Sequence, residues 1–208
     1  MVRPDMWLVG LAGRRIDGLV HPAARRDPLE RSRHASLIAS HIVGAAVAAT
    51  VFGALFALNG SLGPFGLLAA IWFLSPLAVA LFVSRTGRLD AAHFLSAVNL
   101  TGIVVIAALL SGGARSFTLV WLIVVPLEAA LSANTRMMIA ATAVAIAALL
   151  VISVADAAGL IPPPTPLGAS AADIAIACLL SAVAYAGALA TSVLSLHRAS
   201  ERALAESR

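Results

Sequence analysis

Residues 35–84 read ASLIASHIVGAAVAATVFGALFALNGSLGPFGLLAAIWFLSPLAVALFVS and contain no Asp, Glu, Lys or Arg. Fifty uncharged and mostly apolar residues exceed what one membrane span needs and suffice for two, at about 20 residues each. The turn-forming residues NGSLGP at 59–64 divide the run. The sequence therefore predicts two membrane helices, at 35–58 and 65–83.

The rest of the chain continues this pattern of apolar runs between polar or turn-forming breaks. Four further predicted spans lie at 91–110, 117–131, 137–154 and 171–196. The break before the last span contains four prolines, so it cannot be helical throughout. The predicted fold is all-α, a polytopic membrane bundle of six transmembrane helices over 35–196, with an Arg-rich segment, 1–34, before it and a charged, helix-prone tail, 197–208, after it.

The composition is that of a membrane protein with basic loops. Charged residues make up 12% of the chain, against roughly 25% in a soluble domain. All fourteen basic residues are Arg, and thirteen lie in the N-terminal segment, the tail and alternate loops, while Arg115 lies on the opposite side. The positive-inside rule therefore predicts that both termini face the cytoplasm of a bacterial inner (plasma) membrane. Arginines that orient a chain do not form a nucleic-acid surface, so we expect no nucleic-acid partner.

The N-terminal segment, 1–34, carries seven arginines. Its apolar residues fall near helical spacing, which favours an amphipathic helix on the inner leaflet, in contact with anionic lipid head groups. A partly ordered cytoplasmic tail is the alternative. The loops predicted on the outer face are short, so no soluble sensing domain is expected there.

Ionisable residues within predicted spans are the candidate functional residues, because they are costly in lipid. Glu128 follows Pro126 near the cytoplasmic end of the fourth predicted span. Asn99 and His93 lie on the third span at comparable depth, so a hydrogen bond between Asn99 and Glu128 is expected within a polar switch. A purely structural polar contact, or a carboxylate that reaches the inner interface, is the alternative.

Other functional signals are weak. His41 and His93 are expected near the interface, and their spacing does not form a metal site. No nucleophile elbow, phosphate-binding loop or zinc-protease motif is present, so we predict no catalytic residues, cofactor or metal. Small residues at helical spacing predict close helix contacts, and these are Gly44 and Ala48 in the first span and Ala184, Ala188 and Ser192 in the last.

The turn before the fourth span carries a family resemblance. The sequence SGGARS at 111–116, followed by Trp121 and Pro126, resembles the Gly-Gly-x-x-Ser-Pro…Trp-Leu…Pro signature of six-helix membrane input domains of bacterial sensor histidine kinases. Phe117 stands where that signature has proline, so the turn is expected to differ here. The matching signature residues are Gly112, Gly113, Ser116, Trp121 and Pro126.

Four further motifs are similar to those of DivJ-like cell-cycle kinases of alphaproteobacteria, namely LVHP at 19–22, RH at 33–34, SRTGR at 84–88 and PLEAALS at 126–132. The resemblance implies a sensory and anchoring input module without catalysis of its own. Its last span would pass a signal through 197–208 to a cytoplasmic kinase region that this chain does not contain. The implied partners are membrane lipids, a second copy of the chain in a homodimer, and a membrane protein.

A small proton-coupled transporter or channel is the alternative function. In that interpretation Glu128, Asn99 and His93 would line a polar path through the bundle. We see no internal duplication of the kind that many transporters show. Proton-coupled uptake that depends on Glu128 would distinguish the two functions.

Overall fold

The computed structural model describes residues 15–61, 63–132, 134–161, 176, 179–187, 189–191 and 193–194. These residues form helices and turns and contain no β-strand, which confirms the all-α prediction for them. The α-helices are α1 (Pro28–Asn59), α2 (Gly63–Leu74), α3 (Pro76–Thr86), α4 (Leu89–Ser111), α5 (Val124–Ala130), α6 (Thr135–Ala157) and α7 (Leu179–Thr191). Short 3₁₀-helices occupy Ala24–Arg26, Gly113–Arg115 and Phe117–Ile123.

Three helical stretches within the described residues are long and apolar enough to cross a membrane. They are Gly66–Thr86, Leu89–Ser111 and Thr135–Ala157, with 21, 23 and 23 residues. At about 1.5 Å per residue, a helix of this size matches the roughly 30 Å hydrocarbon core of a bilayer. Large apolar side chains on these helices remain exposed, among them Ile71, Leu150 and Val154. The helices therefore indicate a membrane protein whose outer surface suits lipid.

A proline divides the second predicted span into α2 and α3 without ending it. Pro76 has no N–H, so the carbonyl of Trp72, four residues earlier, loses its usual helical donor. The backbone N–H of Ser75 donates to this carbonyl over 3.0 Å, and the Ser75 hydroxyl lies against the same oxygen. The helix continues through the proline because Ser75 satisfies the carbonyl that Pro76 leaves free.

The fourth predicted span, 117–131, begins as a 3₁₀-helix and ends as α5. A 3₁₀-helix rises about 2.0 Å per residue against 1.5 Å in an α-helix. Phe117–Ile123 therefore extends the segment by about 3 Å beyond an α-helix of the same length. Pro126 is the third residue of α5, in its first turn, where proline is tolerated better than in a helix interior.

The described part of the N-terminal segment packs against the end of the bundle. Val20 is buried in a core cluster with residues of α1, α3 and α4, such as Leu37, Val83 and Leu89. The Ser84 hydroxyl donates to the Leu19 carbonyl over 2.6 Å. Neither expectation for 1–34, an interfacial helix or a partly ordered tail, included this docking, and residues 1–14 lie outside the described part of the chain.

Helix α1 begins seven residues before the predicted start of the first span. Asp27 caps it, because its carboxylate accepts from the backbone N–H of Leu29 over 2.8 Å, and Pro28 occupies the first helical position. Gly60, with φ of 71°, ends the helix in the left-handed conformation.

The expected close-contact residues fall on different surfaces. Ala48 is buried against the bundle, whereas Gly44 and Ala184 are exposed. Ala188 and Ser192, together with 197–208 and most of the proline-rich stretch, lie outside the described residues. A contact of Gly44 or Ala184 with a neighbouring helix therefore remains a prediction.

Candidate functional site

Four side chains from four helices form a buried polar cluster around Glu128. Glu128 on α5 is 5% exposed, and its Oε1 accepts from the Ser96 hydroxyl on α4. The Ser96 oxygen also lies 2.8 Å from His41 Nε2 on α1. The Tyr185 hydroxyl on α7 donates to the other carboxylate oxygen, Oε2, over 3.2 Å. We call His41, Ser96, Glu128 and Tyr185 the polar cluster.

Small residues beside the cluster let its short side chains meet. Ala97 on α4 and Ala129 on α5 are completely buried within one core cluster, directly after Ser96 and Glu128 in sequence. Alanine at such positions allows helix backbones to approach closely in an apolar environment. The short Ser96 side chain can therefore reach the carboxylate across the helix interface.

Hydrogen counting restricts how protons are arranged in the polar cluster. His41 Nδ1 lies 2.8 Å from the Leu37 carbonyl oxygen, which only accepts, so Nδ1 carries a hydrogen. In one arrangement Ser96 donates to a Glu128 carboxylate, and His41 Nε2 must then donate to Ser96, which makes His41 an imidazolium. In the other, a protonated Glu128 donates to Ser96, and Ser96 donates to a neutral His41. Both arrangements satisfy the contacts that join the three side chains.

The two arrangements carry the same net charge. An imidazolium with a carboxylate sums to zero, as does a neutral imidazole with a carboxylic acid. A neutral buried cluster avoids the high cost of an unpaired charge in lipid. A proton transfer between His41 and Glu128 through Ser96 would therefore leave the total charge of the cluster unchanged.

Tyr185 connects the polar cluster to α7. Its ring packs on Trp121 of the 3₁₀-helix, with ring centroids 5.4 Å apart and planes tilted by 45°. Ala182 on the same helix is buried, whereas Leu180 is 66% and Val183 70% exposed. The described residues of α7 therefore contact the bundle around Tyr185, through Trp121 and Glu128.

The structure places Asn99 at the Pro76 kink, with different partners from those predicted. The Trp72 indole N–H donates to the backbone carbonyl of Asn99 over 3.2 Å. The side-chain oxygen of Asn99, Oδ1, accepts from the Ser75 hydroxyl. That hydroxyl lies against both Asn99 Oδ1 and the Trp72 carbonyl oxygen, so its single hydrogen serves two acceptors. The expected Asn99–Glu128 hydrogen bond is not among the contacts of the described residues.

The same kink explains Gly102 on α4. A Cβ at this position would overlap the Trp72 indole, with Cε2 only 2.8 Å away. Glycine therefore leaves room for the Trp72 ring to reach the Asn99 backbone.

His93 is 3% exposed, and its Nδ1 has no hydrogen-bond partner among the described residues. The charged and titratable groups within electrostatic range are His41 of the polar cluster together with Arg33, His34 and Asp90. The structure therefore brings His93 near His41 and gives it no hydrogen bond to Glu128 in the described part of the chain. Both histidines are buried in the protein, and their expected position near the membrane interface stays a prediction.

The SGGARS turn, 111–116, uses two glycines in the left-handed conformation. Gly112 and Gly113 have φ values of 114° and 64°. A Cβ on Gly113 would also lie 2.8 Å from Ile161 Cδ1, so this position favours glycine for space as well as for conformation. The Ser116 hydroxyl caps the following 3₁₀-helix by accepting from the backbone N–H of Thr118 over 3.2 Å. Phe117 is exposed and begins that helix.

Sequence reasoning identified Glu128 but missed Ser96 and His41 as its connected partners. Both residues lie within the first two turns of predicted apolar spans. A serine in an Ala-rich span is common and does not by itself indicate a partner for a buried carboxylate. No cluster of three metal-ligating side chains occurs among the residues described here. No family model matches the chain, and neither a characterised protein nor a solved structure matches it.

Proposed function

We propose that this chain is a membrane-embedded sensory and anchoring input module of a sensor histidine kinase. In this proposal it lies in a bacterial inner membrane with six spans and both termini in the cytoplasm, and works as a homodimer. The observation that carries the proposal is the hydrogen bond from Tyr185 to Glu128, which attaches the last described helix to the buried polar cluster.

The arginine distribution supports the proposed topology. With both ends inside, thirteen of the fourteen arginines lie on the cytoplasmic side. In this proposal the six spans would be the apolar part of α1, the α2–α3 helix, α4, the 3₁₀-helix with α5, α6, and the segment that contains α7, of which the α2–α3 helix, α4 and α6 are membrane-length and apolar.

The polar cluster offers a mechanism for transmission. A carboxylate accepts a stronger hydrogen bond than a neutral carboxylic acid does. The position of the proton between His41 and Glu128 therefore sets how firmly Tyr185 is held. A stimulus that moves this proton, or displaces one of these side chains, would change the packing of α7 and shift the residues that follow it towards a kinase region.

The test joins residues 1–208 to a cytoplasmic histidine kinase region and measures autophosphorylation in membrane vesicles. We expect Tyr185→Phe and Glu128→Gln to change the output in the same direction, because both weaken the attachment of α7. The matched control is Ser153→Ala, since among the described residues the Ser153 hydroxyl bonds to the Leu149 carbonyl of its own helix, over 2.8 Å. Unchanged output in both cluster variants, at equal protein levels, would exclude this mechanism.

A small proton-coupled transporter is the second candidate. The observation that favours it is the chain of hydrogen bonds from α1 through α4 and α5 to α7, which links groups that can donate and accept protons inside the bundle. Purified protein in liposomes would then acidify or alkalinise the lumen along a proton gradient, and Glu128→Gln would abolish the flux. Absence of flux in the unaltered protein would exclude this candidate.

A further inference from the structure

An open cleft lies at the end of the bundle where α4 and α6 begin. Its volume is about 520 Å³, and Arg33, Asp90, Ser132, Asn134, Thr135 and Arg136 line it. Asp90 is the second residue of α4, and Thr135 and Arg136 are the first two of α6. The cleft therefore contains two guanidinium groups beside the start of two membrane-length helices.

The two arginines of the cleft have hydrogen-bond donors that no described residue uses. Arg33 contacts Glu30 through Nη1 over 3.2 Å, but its Nε has no partner among the described residues. Arg136 is exposed and forms no ion pair with any residue that the structure describes. The Asp90 carboxylate accepts from the Asn134 amide over 2.8 Å and lies in no ion pair with either arginine in this part of the chain. Two positive groups thus face a cleft whose carboxylate is already hydrogen-bonded.

The position of the cleft identifies the source of a complementary anion. Helices α4 and α6 each have 23 residues, and about 20 residues cross the hydrocarbon core, so their first residues lie at the level of the lipid head groups. Basic pockets between helices at this depth are suited to phospholipid head groups, and guanidinium groups bind phosphate through paired hydrogen bonds.

We propose that this cleft binds the phosphate of an anionic phospholipid head group through Arg33 and Arg136. The N-terminus of α6 adds partial positive charge at the same place, although the backbone N–H of Arg136 already donates to Asn134 Oδ1. The site goes beyond the sensory proposal and does not depend on it, since no member of the polar cluster lines the cleft.

Native mass spectrometry of the purified chain in detergent, titrated with dioleoylphosphatidylglycerol, tests the proposal. Arg33→Gln and Arg136→Gln should each weaken lipid binding about tenfold, as expected for loss of a charge-assisted hydrogen bond. Arg136→Lys should retain part of the affinity, because it keeps the charge. The matched control is Arg85→Gln, because Arg85 is an exposed arginine in the last turn of α3, outside the cleft.

Two results would overturn the assignment. An equal loss of lipid in Arg85→Gln would show that general surface charge, rather than the cleft, attracts the lipid. Binding of inorganic phosphate that depends on Arg136 and displaces the lipid completely would identify a soluble phosphate compound as the ligand. Retention of lipid by the unaltered chain in excess phosphate, with selective loss in the two cleft variants, is the result that the proposal requires.

Discussion

Replacement of Ser96 by alanine tests whether the polar cluster holds the bundle together. The substitution removes one buried hydroxyl and with it the contacts to His41 Nε2 and Glu128 Oε1. It leaves the helix backbone unchanged, and alanine favours the helical conformation. A loss of stability therefore reports the bridging hydroxyl.

The expected loss follows from the two bonds that disappear. Side-chain hydrogen bonds between membrane helices contribute about 0.6 kcal/mol on average and about 1.7 kcal/mol at most, since the unfolded chain in the membrane also finds partners. Two such bonds give about 1–3 kcal/mol, which corresponds to a roughly 5- to 140-fold change in the unfolding equilibrium. Burial of the charged or acidic partner, Glu128, places the value in the upper part of this range.

Reversible unfolding in mixed micelles of dodecyl sulfate, followed by far-ultraviolet circular dichroism, measures this difference. Ser153→Ala serves as the control, because the Ser153 hydroxyl is exposed and bonds within its own helix, and its loss should cost less than about 0.5 kcal/mol. If Ser96→Ala changed the free energy of unfolding no more than Ser153→Ala, the bridge between His41 and Glu128 would not stabilise the fold and our account of the cluster would be wrong.

Two other predictions follow from the helix contacts and from the N-terminal segment. Gly102→Ala should destabilise the chain by about 1–3 kcal/mol by overpacking against Trp72, whereas Gly44→Ala, with open space around its Cβ, should be neutral or stabilising; the same unfolding assay compares them. The Arg31 guanidinium, bonded to Asp17 over 2.5 Å, holds the pKa of that carboxyl below its usual range. This contact therefore contributes stability above the ordinary aspartate pKa and loses it as the pH falls through the lower folded value. Carboxyl chemical shifts should show the low midpoint in the unaltered protein and a normal one in Arg31→Gln, and an unchanged midpoint would contradict the assignment.

The positions of several helices could be predicted from the sequence, because helix ends are marked by charged and turn-forming residues next to them. Uncharged runs and turn-forming residues predicted a helix at 91–110 and another at 137–154, and the structure has Leu89–Ser111 and Thr135–Ala157. The start of α1 was not predicted, although Asp27 and Pro28 form a recognisable N-terminal cap. The predicted span began at residue 35 because the uncharged run begins there. The 3₁₀ geometry of Phe117–Ile123 depends on the packing around it, and no residue pattern in this segment distinguishes a 3₁₀-helix from an α-helix.

The hydrogen-bond partners of Glu128 could not be predicted from the sequence, because these helices have apolar residues on all sides and no polar face that marks the outside. In water the polar face of a helix reveals its outside, but in lipid both outside and inside are apolar. Ser96 and Asn99 lie three residues apart, or about 60° around α4, yet the first meets Glu128 and the second meets Ser75. A modest rotation of one helix would exchange these contacts, and composition does not fix that rotation.

The docking of the N-terminal segment has a consequence for synthesis. Leu19 is bonded to Ser84, 65 residues later in the chain, so at about 5–20 residues per second the acceptor waits roughly 3–13 s for its donor to be made. The residues of α1 and α2 are synthesised during this interval, while the residues of α3 and α4 that bury Val20 are not yet complete. Leu19 and Val20 can therefore reach their final places only after α3 and the start of α4 have been made.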